Sequence, residues 1–219
     1  PVLLPDWAVL DAELTLGLPA PVTAATGIDA MVHAIEAYTS KRLKNPLSDA
    51  LAREALRLLG GNIHEVCRNG VNREARHHML LGSMLAGMAF ANAPVAAVHA
   101  LAYPVGARFH VPHGLSNSLV LPEVIKFNAP AAQDHYAELS AILLPHTKGS
   151  ATDRTRDLVT MLSELPAALG LPPRLRDVGI AEKDVGMLAD DAMKQTRLLV
   201  NNPREVTHAD ARAIYGASL

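Results

Sequence analysis

The sequence has few of the residues that mark several large classes of protein. Its 219 residues include one cysteine, three phenylalanines and one tryptophan, and 19% of them are charged. Because Cys67 has no second cysteine to pair with, an internal disulfide is excluded, which is typical of a reducing compartment and leads us to expect a cytoplasmic protein. The formal charge of −2 and the absence of a basic block exclude the usual nucleic-acid-binding patterns.

A long stretch, from Met79 to Ala107, contains no Asp, Glu, Lys or Arg. About 20 consecutive apolar residues are enough to span a bilayer. Here Asn92, Pro94 and Pro104 interrupt the run, and a proline breaks the interior of a helix because it lacks the amide hydrogen. We therefore interpret the run as two core helices joined near Asn92, and we predict no membrane span.

Helical patterning is the dominant feature that the sequence does have. Hydrophobic residues make up 49% of the chain, and alanine and leucine dominate among them, which favours helix. Apolar residues recur at helical spacing over roughly eight or nine segments, and Pro46 follows Asn45 in a typical helix start. Residues 6–11, DWAVLD, are predicted to form one short strand. The predicted fold class is all-α, with that single strand near the N-terminus.

A nucleotide-binding loop is missing from the pattern. The sequence shows no βαβ alternation and no glycine-rich loop after a predicted strand, so it lacks the usual phosphate-binding unit of a nucleotide site. It begins PVLLP, without a methionine or a basic leader. We therefore expect no signal peptide and a piece of a longer protein.

The segment TGIDAMVHAIEAYTS, residues 26–40, places polar side chains in an apolar helix. Asp29 and His33 are four residues apart, so they lie on one face of the helix within reach of one ion. A carboxylate and an imidazole suit a divalent transition metal. Taken alone, an Asp on a helix is usually solvated or caps the helix, and a lone histidine is usually not a ligand. Glu36 follows on the same helix and either orients a ligand or faces solvent or an arginine.

Three more histidines follow in VHALAYPVGARFHVPHG. His99 is surrounded by Ala and Val and is predicted to be buried, and His113 lies in a Pro-His-Gly turn that begins a new helix. A buried histidine most often bonds a backbone carbonyl. His99 and His113, together with the pair on the earlier helix, nevertheless make a metal site a reasonable hypothesis.

Long blocks of the sequence resemble the iron-containing (group III) alcohol dehydrogenases. The resemblance covers nearly the whole chain and is carried by ordered blocks: TAATGIDAMVHAIEAYTSKRLKNPLSDALAREAL, AVHALAYPVGARFHVPHGLSNSLVLPEVIKFN, LGLPPRLRDVGI and NNPRE. It implies the two-domain, dehydroquinate-synthase-like fold of that family. Residues 19–219 would be its helical metal-binding domain, and residues 1–18 the tail of a missing α/β nucleotide-binding domain.

The resemblance also implies a site and a chemistry. The ligand positions of the family, one Asp and three His, fall on Asp29, His33, His99 and His113. The expected ion is Fe²⁺, with Zn²⁺ permitted by the same ligand types. The expected reaction transfers hydride between an alcohol and NAD or NADP, or reduces an aldehyde or ketone in reverse, in a homodimer. The nicotinamide cofactor would be held mainly by the missing domain.

One position departs from the family pattern. Many relatives have a further histidine four residues after the third ligand, where this sequence has Tyr103. Because the usual pKa of a tyrosine is near 10, it is a weaker acid–base group near neutrality. His110 or a chain of water molecules would then carry the proton, and we count Tyr103 and His110 as candidate catalytic residues.

Alternatives remain at this stage. Within the same fold they are a maleylacetate-reductase-like enzyme and a glycerol-dehydrogenase-like enzyme with zinc; outside it, a non-catalytic helical interaction module. The intact set of four ligand positions argues against the module. As a helical domain alone, the chain is expected to be inactive and to self-associate through an exposed apolar cleft wall at Val95, Val98 and Leu101.

Overall fold

Helix makes up the regular structure of this protein, whose computed structural model describes residues 5–219. Nine α-helices occur in that range: α1 (Ala20–Thr39), α2 (Pro46–Arg68), α3 (Arg73–Asn92), α4 (Ala97–Phe109), α5 (His113–Leu143), α6 (Ala151–Ala168), α7 (Val185–Ala192), α8 (Thr196–Leu199) and α9 (His208–Ala217). Three short 3₁₀ turns accompany them at Ala12–Thr15, Leu175–Val178 and Glu182–Asp184. The all-α prediction is confirmed.

Several helices begin where the sequence signals a start. The side chain of Asn45 accepts a hydrogen bond of 3.0 Å from the Ser48 amide, and Pro46 occupies the first helical position of α2. Ser150 and Thr207 each form a reciprocal capping box at the start of α6 and α9. These local hydrogen bonds satisfy amide groups that have no partner inside the helix.

The strand predicted at residues 6–11 is wrong. The described part of the chain has no strand, because a strand exists only when its backbone pairs with another strand and none lies beside this segment. Trp7 and Val9 are each 89% exposed, so the alternating side chains cover nothing. The predicted boundary between residues 18 and 19 lies next to the start of α1 and stays a prediction.

α5 is divided by a kink near Pro130. The sequence predicts separate helical segments before and after this proline, and the 31 residues of α5 form two helical parts that meet at the non-helical Ala132, where φ is −139° and ψ is 23°. Pro130 lacks the amide hydrogen that would bond the preceding turn, which accounts for the break at this place.

α3 and α4 meet at the predicted break. Their axes are bent by 110° across residues 93–96, and only as a pair do they have the length and apolar composition of a membrane span; none of the helices within residues 5–219 does so alone. The exposed cleft wall that we expected is wrong. Val95, Val98 and Leu101 are 8%, 2% and 0% exposed. The last two belong to α4, which packs against α5, α7 and α8.

α1 is the central helix and positions the site. It packs against α2, α3 and α5, and 14 of its 20 residues are buried. Ile28, Met31 and Ile35 are each 1% exposed, and burying side chains of this size stabilises a fold by about 1.5–3 kcal/mol each. Polar side chains on the remaining face of α1 therefore stand on a rigid support.

Candidate metal centre

Four side chains from three helices converge beside α1. Asp29 and His33 come from α1, His99 from α4, and His113 is the first residue of α5. Ligand atoms of Asp29, His99 and His113 lie within 4.8 Å of one another. The Nε2 atoms of His33 and His99 are 3.1 Å apart, which joins the fourth residue to the group. The structure thus brings three of the four predicted positions together and places the fourth, His33, against His99.

Glu36 fixes the orientation of His99. Its carboxylate is 3% exposed and accepts two hydrogen bonds of 2.6 Å, one from the Val98 amide and one from Nδ1 of His99. In the neutral ring Nδ1 therefore carries the proton, and the free lone pair is on Nε2, which faces the other candidate ligands. Glu36 is therefore buried against His99 and does not face solvent. That it orients a metal ligand stays a prediction.

The two central imidazoles have shifted pKa values in opposite directions. Burial lowers the pKa of His99, but the hydrogen bond and negative charge of Glu36, helped by Asp29, outweigh burial and leave it raised. Burial lowers the pKa of His33, and Asp29 opposes this shift only in part. The ring of His33 also stacks on Phe90, with ring centres 4.6 Å apart. His33 is consequently held as the neutral imidazole, which is the form that binds metals.

Gly114 permits the close approach of α5 to α1. A Cβ atom at this position would lie 2.2 Å from the carbonyl oxygen of Ala25 and 3.2 Å from Cβ of Asp29. Only a residue without a side chain fits there. As a result His113 lies next to Asp29, with 3.5 Å between His113 Nε2 and Asp29 Oδ1.

Asn117 belongs to the cluster, although it was not among the predicted residues. Its side-chain nitrogen donates a 2.5 Å hydrogen bond to Asp29 Oδ1, and it lies 3.3 Å from His99 Nε2 and 3.2 Å from His113 Nε2. The residue is 0% exposed. Its position four residues after His113 repeats the spacing of the pair on α1, and this signal was available in the sequence.

The two candidate proton carriers differ in position. Tyr103 is 38% exposed, and its ring centre is 6.2 Å from that of His99 and 5.8 Å from that of His113, so it borders the cluster. His110 is exposed and ends α4 with a left-handed backbone, φ 56°. Within residues 5–219, His110 has no hydrogen bond or ring contact to the four candidate ligands.

An apolar cavity opens beside the cluster. It has a volume of about 410 Å³, within the range of small-molecule sites, and lies between the start of α1, the start of α5 and residues 170–172. Val22, Ala25 and Leu115 line its apolar wall, and Asp29 and His113 form its polar edge. An organic molecule in this cavity would meet the candidate ligands at one end.

The donor set fits a divalent transition ion. One carboxylate and three imidazoles are ligands that iron, zinc and their neighbours accept, and Glu36 supplies the partner that a ligating histidine normally has. Within the cluster His99 is buried and Asp29 and His33 are half-buried, while the exposed His113 borders the cavity.

Comparison with known proteins agrees with this chemistry. A model described as the Fe-containing alcohol dehydrogenase family, C-terminal, matches residues 23–219. The chain belongs to the iron-containing alcohol dehydrogenase family. The resemblance found in the sequence is therefore confirmed, and the matching region is the C-terminal part of the family.

Individual relatives support the same placement. The chain is 42% identical to long-chain-alcohol dehydrogenase 1 of Geobacillus thermodenitrificans over 217 residues, which are 99% of this chain and 55% of that protein. It is 38% identical to 1,3-propanediol dehydrogenase of Citrobacter freundii, covering 97% of this chain and 54% of that protein. The chain thus spans about half the length of these curated relatives of the iron-containing family.

Solved structures of this family share the fold. A crystal structure of 1,3-propanediol oxidoreductase superimposes with a TM-score of 0.91 at 36% identity and covers 95% of this chain and 55% of its own. The alcohol dehydrogenase from Oenococcus oeni also gives 0.91, at 34% identity, covering 95% of this chain and 54% of its own. The helical domain assigned from the sequence is therefore the C-terminal domain fold of these enzymes.

Proposed function

We propose that this chain is the metal-binding part of an alcohol dehydrogenase that interconverts an alcohol and the corresponding aldehyde or ketone. The observation that carries the proposal is the convergence of Asp29, His33, His99 and His113 in a chain of the iron-containing family. In this proposal the four side chains hold one divalent ion. Iron is the first candidate because of the family, and zinc is the second because it accepts the same donors.

The residues of the chain have separate roles in this proposal. When bound, the ion supplies Lewis acidity toward an alcohol or carbonyl oxygen. Glu36 keeps Nδ1 of His99 protonated and so directs Nε2 toward the centre of the cluster. Tyr103 borders the same space and offers a hydroxyl to the substrate or to water, whereas the exposed His110 lies at the end of α4.

The apolar cavity is the proposed place for the carbon chain of the substrate. Asp29 and His113 line one end of this cavity, and Val22, Ala25 and Leu115 line its wall. If the substrate oxygen lies near the candidate ligands, the carbon chain therefore packs against the apolar wall. Each CH₂ group that leaves water for such a surface contributes about 0.8 kcal/mol. An apolar primary alcohol is therefore favoured over a charged one.

The proposed hydride carrier is NAD or NADP. A nucleotide-binding domain outside residues 19–219 would hold most of this cofactor, and the whole enzyme would be a homodimer. A sulfoacetaldehyde reductase from Bifidobacterium kashiwanohense, 28% identical over 94% of this chain with a TM-score of 0.82, was solved in complex with NAD⁺. Residues 5–219 have no strand with a glycine-rich loop after it that would bind a pyrophosphate.

A cobalt titration tests the substrate part of the proposal without a cofactor. The 219-residue chain is loaded with Co²⁺, whose visible absorption reports its ligands, and hexan-1-ol or hexanal is then added. We expect a saturable change in the visible bands, and none with hexane. The proposal fails if the alcohol and the aldehyde leave the spectrum of the loaded chain unchanged.

A turnover assay tests the cofactor part. The chain, loaded with Fe²⁺ without oxygen, is mixed with NAD or NADP and a series of primary alcohols, and the absorbance of the reduced cofactor is followed. We expect no turnover and no micromolar binding of NAD or NADP by calorimetry. Either result, if positive, would mean that the helical domain itself holds the nicotinamide.

A further inference from the structure

Asn117 is a buried polar side chain within the cluster, and it is not one of the four proposed ligands. It lies on α5, one turn after His113, and is 0% exposed. Its amide nitrogen is within 3.3 Å of one atom each of Asp29, His99 and His113. Three of the four candidate ligands therefore share one neutral neighbour.

The orientation of this amide leaves one of its polar atoms without a hydrogen bond. The side-chain oxygen of Asn117 is buried and has no hydrogen-bond donor among the described residues. Buried acceptors are normally satisfied, so a single unsatisfied one needs a physical reason. A half-turn of the amide would put that oxygen against Oδ1 of Asp29, where two acceptors repel each other. The hydrogen bond to Asp29 therefore decides the orientation, at the expense of the oxygen.

The contact bridges a long distance in the sequence. Asp29 and Asn117 are 88 residues apart and lie on α1 and α5, and Gly114 brings these two helices close together. Asp29 stands on a solvent-reaching face of α1, and the Asn117 amide restrains its carboxylate on that face. Partners that orient a ligating carboxylate typically change metal affinity 10–100-fold when they are removed.

We propose that Asn117 is a positioning residue of the candidate metal centre, whose side-chain amide holds the Asp29 carboxylate facing His99 and His113. This inference rests on the proposed metal centre. It assigns to Asn117 no bond to the ion and no contact with the substrate. Its effect is on the geometry of the ligands, so it is visible in metal affinity and in the spectrum of a bound ion.

Asn128 provides a matched control. It is a second buried asparagine on α5, 3% exposed, and exchanges side-chain hydrogen bonds of 3.0 and 2.7 Å with Asn202, away from the cluster. Asn128→Leu removes a satisfied amide from the same helix. Loss of stability from a missing buried amide can therefore be separated from loss of ligand positioning.

The experiment measures Co²⁺ affinity by calorimetry and the visible spectrum of the Co²⁺-loaded chain. Asn117→Leu is expected to weaken Co²⁺ binding by about 10–100-fold and to change the visible bands. Asn117→Ser, which keeps a short donor on the same face, is expected to fall between this variant and the wild type. Asn128→Leu is expected to unfold at a lower urea concentration but to keep the affinity and spectrum of the wild type.

The outcomes separate the two proposals. If the wild-type chain binds no Co²⁺, the metal centre itself is wrong. If the wild type binds one ion and both variants of Asn117 keep its affinity and spectrum, the metal centre stands and the positioning role is wrong. Should Asn117→Leu not fold, equal affinity and an equal spectrum for Asn117→Ser and the wild type would overturn the role.

Discussion

Replacing Gly114 with alanine tests how closely α5 must approach α1. The added Cβ would lie 2.2 Å from the carbonyl oxygen of Ala25, about 1.2 Å less than the 3.4 Å at which ordinary contact begins. Both neighbours are parts of buried helices, and the clashing atom is backbone, so no side chain can rotate away. The start of α5 must therefore retreat, and His113 must retreat with it from Asp29.

The magnitude follows from overpacking of a buried contact. Such substitutions typically destabilise a fold by about 1–3 kcal/mol. Gly61, exposed in the middle of α2, is the control, because a Cβ there meets nothing within 4 Å. Gly61→Ala should instead stabilise the protein by about 0.5–1 kcal/mol, since alanine lowers the entropy of the unfolded chain.

Urea unfolding and calorimetric Co²⁺ titration measure the two effects together. We expect Gly114→Ala to lower the free energy of unfolding and to weaken ion binding, and Gly61→Ala to raise the free energy of unfolding without changing ion binding. A Gly114→Ala variant that is as stable as the wild type and binds the ion equally well would contradict the close approach of the two helices. The start of α5 would then accommodate a Cβ atom without moving away from α1.

Three further predictions concern other buried groups. Glu36→Gln should weaken divalent ion binding by about 10–100-fold in calorimetry, because the amide no longer enforces the proton on the neighbouring imidazole; unchanged affinity would contradict the orienting role. Arg76 is 3% exposed and donates hydrogen bonds to two backbone carbonyls and a threonine hydroxyl. Arg76→Met should therefore lower the free energy of unfolding in urea by about 1–3 kcal/mol. Arg57 is exposed, so Arg57→Met should change that free energy by no more than about 0.5 kcal/mol. Burial raises the pKa of Tyr136 and Tyr215 above the usual 10, so the folded state excludes their charged forms and loses stability as the pH rises above 10; ultraviolet difference spectra should show these two phenols ionising only with unfolding, and ionisation in the folded protein would contradict their burial.

Much of the fold was predictable because its signals are local. Asn45 and Pro46 mark the start of α2 by hydrogen bonds and backbone angles that involve only nearby residues. The predicted strand failed for the opposite reason, since pairing requires a distant partner. The break near Pro130 is local as well, since a proline lacks the amide hydrogen of a regular helix, and α5 has its non-helical residue two positions later, at Ala132.

The site was predictable in part. The spacing of Asp29 and His33 fixes their common face without any tertiary contact. The sequence pattern offered His99 and His113 as further candidates, and the resemblance completed the ligand set with them. Glu36 lies three residues after His33 and Asn117 four residues after His113, but their partners lie 63 and 88 residues away in the sequence. The periodicity of a sequence does not show which helices pack against each other. That packing decides whether a polar residue contacts a candidate ligand or solvent.

The metal centre is tested most directly by the metal content of the chain purified without oxygen, with and without the substitution His33→Ala. We predict one divalent ion per chain in the wild type and in the control His64→Ala, because His64 is exposed on α2. We predict loss of stoichiometric metal in His33→Ala. One ion per chain in His33→Ala, found by elemental analysis, would contradict the assignment of the four ligands.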